Sequence, residues 1–286
     1  MDFIAAHKNI IPPQKKIIEQ AEAYAEFTVR KSKFVLPYMA KFCILSTFFE
    51  DSFRMWFQWP EQRDYFNYVW KCGIIFSNFL VLFNLIGQII PAILVALNIR
   101  AVHSSYFLLL LVIIQGIIYK VIFNAQYLMK SAAILGGLVL LLASYREEIK
   151  SVMFASLPNL ENAYSSPKSI LQLGGRILLV LMFLTLFISE KEWNSVFTWL
   201  RLFVGLGLII TILVGYKTTL TGLVAATWLM VNNLIHNSFW KYAAHSHQHD
   251  YFKFDFFQNM SIIGGLLLLV SIGPGRASMD ERKKRW

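Results

Sequence analysis

The sequence predicts an all-α protein, a polytopic membrane bundle of about eight spans in which one four-span unit is used twice. Three observations carry this. The chain is 56% hydrophobic and only 15% charged, with mean hydropathy +0.51, where a soluble domain carries roughly 25% charged residues. Its apolar residues fall in long runs, most of them near the roughly 20 residues a helix needs to cross a bilayer. A nine-residue stretch also recurs. ILGGLVLLL at Ile134–Leu142 and IIGGLLLLV at Ile262–Val270 agree at six positions with a spacing of 128.

Residues 1–35 are polar, with Lys15 and Lys16 ahead of a weakly amphipathic run from Ile17 to Phe27. They lack the apolar core of a cleavable signal, so the first span is expected to do the targeting. The first unit, 36–144, holds spans at Leu36–Phe49, Cys72–Leu97, Ser105–Phe123 and Leu128–Ser144. The first is short and extends toward the aromatics of Phe53–Trp59; the second contains Pro91, which is expected to kink it. A linker, 145–169, leads to the second unit, 170–273, with spans at Ile170–Ser189, Val196–Gly215, Thr219–Phe239 and Phe256–Gly273. Residues 274–286 form a tail. The units share a further feature, a base at the second position of AKFCILSTFF and of GRILLVLMFL (Lys41 and Arg176). A parallel repeat of this kind often places a site between its halves, although a Gly-Gly pair also serves plain helix packing.

An even number of spans puts both termini on one side. With the termini cytosolic, the cytosolic segments hold 16 Lys and Arg against eight on the other side. That asymmetry obeys the positive-inside rule. The net charge of +10 then lies against the anionic cytosolic leaflet, and a nucleic-acid partner is not needed to explain it. Cys43 and Cys72 have neither metal nor disulfide-framework spacing and read as packing thiols.

The stretch FFEDSFRMWFQWPEQRDYF, Phe48–Phe66, departs from its apolar surroundings. It reads as the lumenal end of the first span and a following loop. Two readings stay open. In one, Glu50, Asp51 and Arg54 form a local ion network beside an interfacial aromatic belt. In the other they belong to a lumenal pocket. Glu50 and Asp51 are then its acidic floor and Trp56 and Trp59 its rim, suited to a ligand with a cationic head and apolar neighbours. Asp64 and Asp255 join the same lumenal set. Beneath lie intramembrane amides: Asn84 and Gln88, four apart, Gln115, and Asn233 and Asn237, again four apart. They serve interhelical hydrogen bonding or line a cavity. His245, His247 and His249 with Asp250 read as a solvated loop, with a metal or pH device as the sharper alternative. No nucleophile elbow, phosphate loop or HExxH pattern occurs, so the chain reads as neither an enzyme nor a cofactor or metal binder.

The chain ends ERKKRW, with Lys283 and Lys284 fourth and third from the end. This is the dilysine pattern that returns membrane proteins from the Golgi to the endoplasmic reticulum, and it requires a cytosolic tail.

Longer motifs add a resemblance. ILSTFFED (44–51), RMWFQW (54–59), EQRDY (61–65), FNLIGQ (83–88), LGGRILLVLMF (173–183), KFDFFQNMSIIGGLLLLV (253–270) and the GPG…SMDE stretch ending at Glu281 resemble the Surfeit locus protein 4 family of endoplasmic-reticulum cargo receptors. The repeated unit also looks like the four-helix DoxX-type membrane fold. The resemblance implies a receptor cycling between the endoplasmic reticulum, the intermediate compartment and the early Golgi. It would collect soluble secretory proteins in the lumen, often through short signals near their mature N-termini. COPII vesicles would carry it forward and COPI would return it. His245 and His247 fall outside the shared pattern. A transporter moving lipid or a small solute between the repeats is the competing reading, and homo-oligomerisation is left open.

Overall fold

A computed structural model describes residues 13–32, 34–120, 125–154, 196–214, 216–243 and 246–272. Among them the chain is helical and no strand occurs. The helices are α1 (Pro13–Lys31), α2 (Val35–Phe57), α3 (Trp59–Trp70), α4 (Ile74–Ala96), α5 (Ala101–Ile118), α6 (Ala125–Phe154), α7 (Val196–Val214), α8 (Thr218–His236) and α9 (His247–Ile272), with a 3₁₀ turn at Phe239–Lys241. Five described segments are long and apolar enough to cross a membrane: α4, α5, Leu128–Tyr145 within α6, Thr218–Lys241 and α9. α2 is 23 residues long but carries Lys41, Glu50, Asp51 and Arg54. The expected span at Ile170–Ser189 lies outside the described residues, as do His245, Lys283 and Lys284.

α9 is the central helix. It packs on α2, α8 and α6, while α2, α4, α5 and α6 pack in chain order. Small residues allow the closest approach. A Cβ built on Gly264 of α9 would sit 2.6 Å from the Ala40 carbonyl and 2.8 Å from the Ile44 nitrogen of α2. Backbone cannot step aside as a side chain can, so glycine is required there. A Cβ on Gly222 of α8 would meet Val270 of α9 at 2.5 Å. Both Gly-Gly stretches are thus in the core: a Cβ on Gly137 of α6 would lie 3.7 Å from Ile44 and from the Ser261 carbonyl. Ile44, Leu45, Phe48, Leu108, Leu138, Leu141, Ile263 and Leu266 fill the space between.

The outer face is apolar. Along α4, Ile75, Phe79, Leu82, Ile86, Ile90 and Ile93 are all exposed, which in water would be untenable and in lipid is ordinary. Pro91 lies inside α4, and the helix runs through it to Ala96.

The two ends of the bundle differ in chemistry. At one end α4 turns into α5 through Leu97–Arg100, with Asn98 and Arg100 in the left-handed region (φ 60° and 47°). The Asn98 side chain there accepts from Lys41, near the start of α2, and from the Tyr145 hydroxyl of α6 at 3.3 Å. Lys41 also lies over the Tyr145 ring, 5.0 Å from its centroid. Lys217, ahead of α8, pairs with Glu22 of α1 at the same end. The other end carries the hinge between α2 and α3 and the start of α9.

The expected loop after the first span is instead a helix: residues 59–70 form α3 after a single turn residue, Gln58. Pro60 stands in the first turn, where a missing N–H costs nothing, and Lys71 ends the helix in the left-handed region. Likewise His247–Asp250 is the first turn of α9, not a loop.

Candidate functional site

A cavity of about 500 Å³ opens at the hinge end, between α2, α3, α5, α6 and α9. Helical periodicity builds its walls. From α2 come Thr47, Phe48, Asp51, Arg54 and Met55, with Gln58 at the hinge; from α9 come His247, Asp250, Tyr251, Phe254 and Gln258. Each set recurs at three- and four-residue intervals and so occupies one helix face. α3 contributes Glu61, Gln62 and Tyr65; Val112, Gln115, Gly116 and Tyr119 come from α5 and its C-cap, and Ser131 and Ile134 from α6.

The lining combines charged, polar and apolar groups. Arg54 Nη2 pairs with Asp51 Oδ1 at 2.7 Å, and its guanidinium lies over the Phe254 ring at 5.2 Å. Asp51 is therefore largely neutralised. Glu61 and Asp250 bring further negative charge to the wall. Asp250 is held from two sides, by Gln58 Nε2 at 2.6 Å and by His249 Nδ1 at 3.3 Å. Tyr65 stacks on Tyr119 with centroids 5.8 Å apart, and burial pushes the Tyr65 phenol up from its ordinary pKa. Phe48, Val112 and Ile134 line the apolar part.

The residues singled out from sequence divide into groups. Asp51 and Arg54 line the cavity. Glu50 lies behind the wall and is buried, with Arg54 Nε and Lys253 Nζ each 3.9 Å from Oε1. Neither of its oxygens has a hydrogen-bond partner among the described residues. Trp56 is 65% exposed on the outer face of α2 and does not line the cavity. Trp59 locks α3 onto α4, its indole N–H donating to Asn78 at 2.8 Å. Asp64 pairs with its neighbour Arg63 at 2.8 Å on the surface. Asp255 forms a 2.5 Å ion pair with Lys130 that joins α9 to α6.

The amides mostly tie helices together. Asn84 accepts from Gln115 at 3.4 Å, which connects the cavity wall to α4. Gln88 accepts from Ser52 at 3.5 Å. Asn233 is a hub between α8 and α9. It donates to the Phe256 carbonyl at 3.0 Å and accepts from Asn237 at 2.8 Å and Asn259 at 3.1 Å. Cys43 is buried, Cys72 half-buried, and both are free thiols.

Glu61, Gln62, Tyr65 and Gln258 were not singled out from sequence. A helical reading of residues 58–66 would have aligned Gln58, Glu61, Gln62 and Tyr65 on one face.

Comparison with known proteins bears on this arrangement. The SURF4 family model matches residues 15–286, nearly the whole chain. The chain belongs to the SURF4 family. Among relatives it is 39% identical over 269 residues to the Surfeit locus protein 4 homolog of Drosophila melanogaster, covering 94% of this chain and 97% of that protein. It is 34% identical over 259 residues to the ER-derived vesicles protein ERV29 of Saccharomyces cerevisiae, covering 90% and 79%. The Schizosaccharomyces pombe Surfeit locus protein 4 homolog is 32% identical over 274 residues, with 94% and 87% covered. No solved structure matches. The family match spans the α2–α3 hinge and α9, the elements that build the cavity.

Proposed function

We propose that the protein is a transmembrane cargo receptor of the endoplasmic reticulum, which binds soluble secretory proteins in the lumen. COPII vesicles take it up with its cargo, and COPI returns it through Lys283 and Lys284. The observation that carries this is the cavity at the end of the bundle away from Lys41, Asn98 and Tyr145. Positive-inside counting assigns that end to the lumen. Family membership and the vesicle association in the name of the yeast relative support the same reading. The cavity suits a short peptide segment with a cationic group and apolar side chains. Glu61 and Asp250 attract the cation, Tyr65 offers a ring, and Phe48, Val112 and Ile134 take the apolar part. Of the wider set Glu50, Asp51, Arg54, Trp56, Trp59, Asp64, Asn84, Gln88, Asn233, Asn237 and Asp255, Asp51 and Arg54 make the direct contacts in this reading. The others hold the walls or lie outside them.

The test is photocrosslinking from position 62 in intact microsomes. Adducts with lumenal secretory proteins, lost on Glu61→Lys, are expected. A crosslinker that captures only cytosolic proteins, or cargo capture unaltered by Glu61→Lys and Asp51→Lys together, would sink the assignment.

A transporter reading draws on one observation, the amide path from Gln115 to Asn84 leading inward from the cavity. Reconstitution into liposomes decides it: solute or lipid movement without any cargo protein would favour transport.

A further inference from the structure

α1 carries an apolar stripe that the bundle does not cover. Its inner face, centred on buried Ala25 with Ala21 and Val29, rests against α8, and the Glu22–Lys217 pair pins it there. Beside that face run Ile17, Tyr24 and Phe27, seven and three residues apart and therefore on one side of the helix; they are 65%, 74% and 64% exposed. Glu19, Glu26 and Arg30 are exposed on the opposite side.

We infer that α1 is an interfacial helix whose Ile17–Tyr24–Phe27 stripe is buried in the lipid leaflet at the Lys41–Asn98 end of the bundle. Continuity with the lipid-facing exterior of the bundle chooses the occupant. Directly after α1 the exposed apolar surface resumes with Phe34, Tyr38 and Phe42. The ion pair fixes α1 at the first residues of α8, one of the membrane-crossing segments, and so at the level where hydrocarbon gives way to headgroups. The charge pattern agrees. In the sequence Lys15 and Lys16 precede the stripe, and exposed Lys31 in the last turn of α1 falls on the stripe's side of the helix, a pattern of cations that suits anionic headgroups. Glu19 and Glu26 are on the side turned to water.

The test uses the unsubstituted full chain in nanodiscs containing a lipid with a diazirine in its acyl chain. Irradiation and peptide mapping should place carbene adducts on Ile17, Tyr24 and Phe27 and none on Glu19 or Glu26. Spin labels on Tyr24→Cys and Glu26→Cys, made in a Cys43→Ala, Cys72→Ser background, give a second readout. The label at 24 should be severalfold more accessible to oxygen than to a water-soluble nickel chelate, and the label at 26 the reverse. Adducts confined to α2 and the membrane-crossing helices, with both labels open to the nickel chelate, would overturn the inference. So would protection of position 24 that appears only when cytosolic coat proteins are added, since the stripe would then be a protein-docking face.

Discussion

Gln58 donates to Asp250 at 2.6 Å, and this bond ties the hinge between α2 and α3 to the first turn of α9. It joins residues 192 positions apart across the mouth of the cavity. Gln58→Leu removes the donor and leaves Asp250 with His249 alone. A hydrogen bond to a charged acceptor is worth about 1.5–3 kcal/mol, less where water competes. The variant should melt earlier in detergent and show faster amide exchange over residues 58–66, while exchange around Asn98 stays unchanged.

The glycines at the core contacts of α2 are not equivalent. Gly264→Leu places a side chain into the Ala40–Ile44 backbone and should cost about 1–3 kcal/mol or more, read as poor yield and a lowered melting midpoint. Gly137→Ala meets its neighbours at 3.7 Å and should be tolerated in the same assay.

Asn233 serves three partners, so Asn233→Leu takes the acceptor from Asn237 and Asn259 and the extra donor from the Phe256 carbonyl at once. Interhelical polar contacts in membranes are worth roughly 0.6–2 kcal/mol each. A destabilisation at least as large as that of Gln58→Leu is expected in thermal unfolding.

Under the proposed receptor function, cargo capture should respond to the cavity wall and not to exposed aromatics. Glu61→Lys and Asp250→Lys should cut photocrosslinking to lumenal cargo severalfold. Trp56→Ala, on the outer face of α2, should leave both capture and melting nearly unchanged. Loss of capture in the Trp56 variant alone would place the binding face outside the cavity.

The proposed retrieval through Lys283 and Lys284 makes a separate prediction. Lys283→Ser together with Lys284→Ser should move the steady-state population toward the Golgi, scored by fluorescence microscopy. Continued residence in the endoplasmic reticulum would mean that another segment retains the protein.

Much of the fold could be read from hydropathy, because a helix that faces lipid must be apolar for most of its length. α4, α5 and α8 are legible for that reason. α2 and α9 are harder at the hinge end, where each extends as a charged helix beyond its apolar run. Hydropathy stops at the last apolar residue, but backbone hydrogen bonding does not, so α9 begins at His247 rather than near Phe256. The same bias makes α3 read as a loop and conceals Glu61, Gln62 and Tyr65. Asp51 and Arg54 could be found because charges next to a span require an explanation. Glu50 could be flagged but not placed, since adjacent acids point to different sides of a helix and only the tertiary packing decides which one meets the cavity.

The contact between α2 and α9 also bears on how the chain is made. Thr47 bonds to a carbonyl 210 residues away, and Lys253 supplies one of the two cations nearest buried Glu50. During synthesis α2 leaves the ribosome long before α9 exists. Until α9 arrives, Glu50 has only Arg54 of its two described cations for charge balance, and the groove that will receive Gly264 is open. The first half of the protein is therefore an incomplete folding unit, and a chain that stops short of α9 presents the quality-control machinery of its membrane with an unfilled, charged seam.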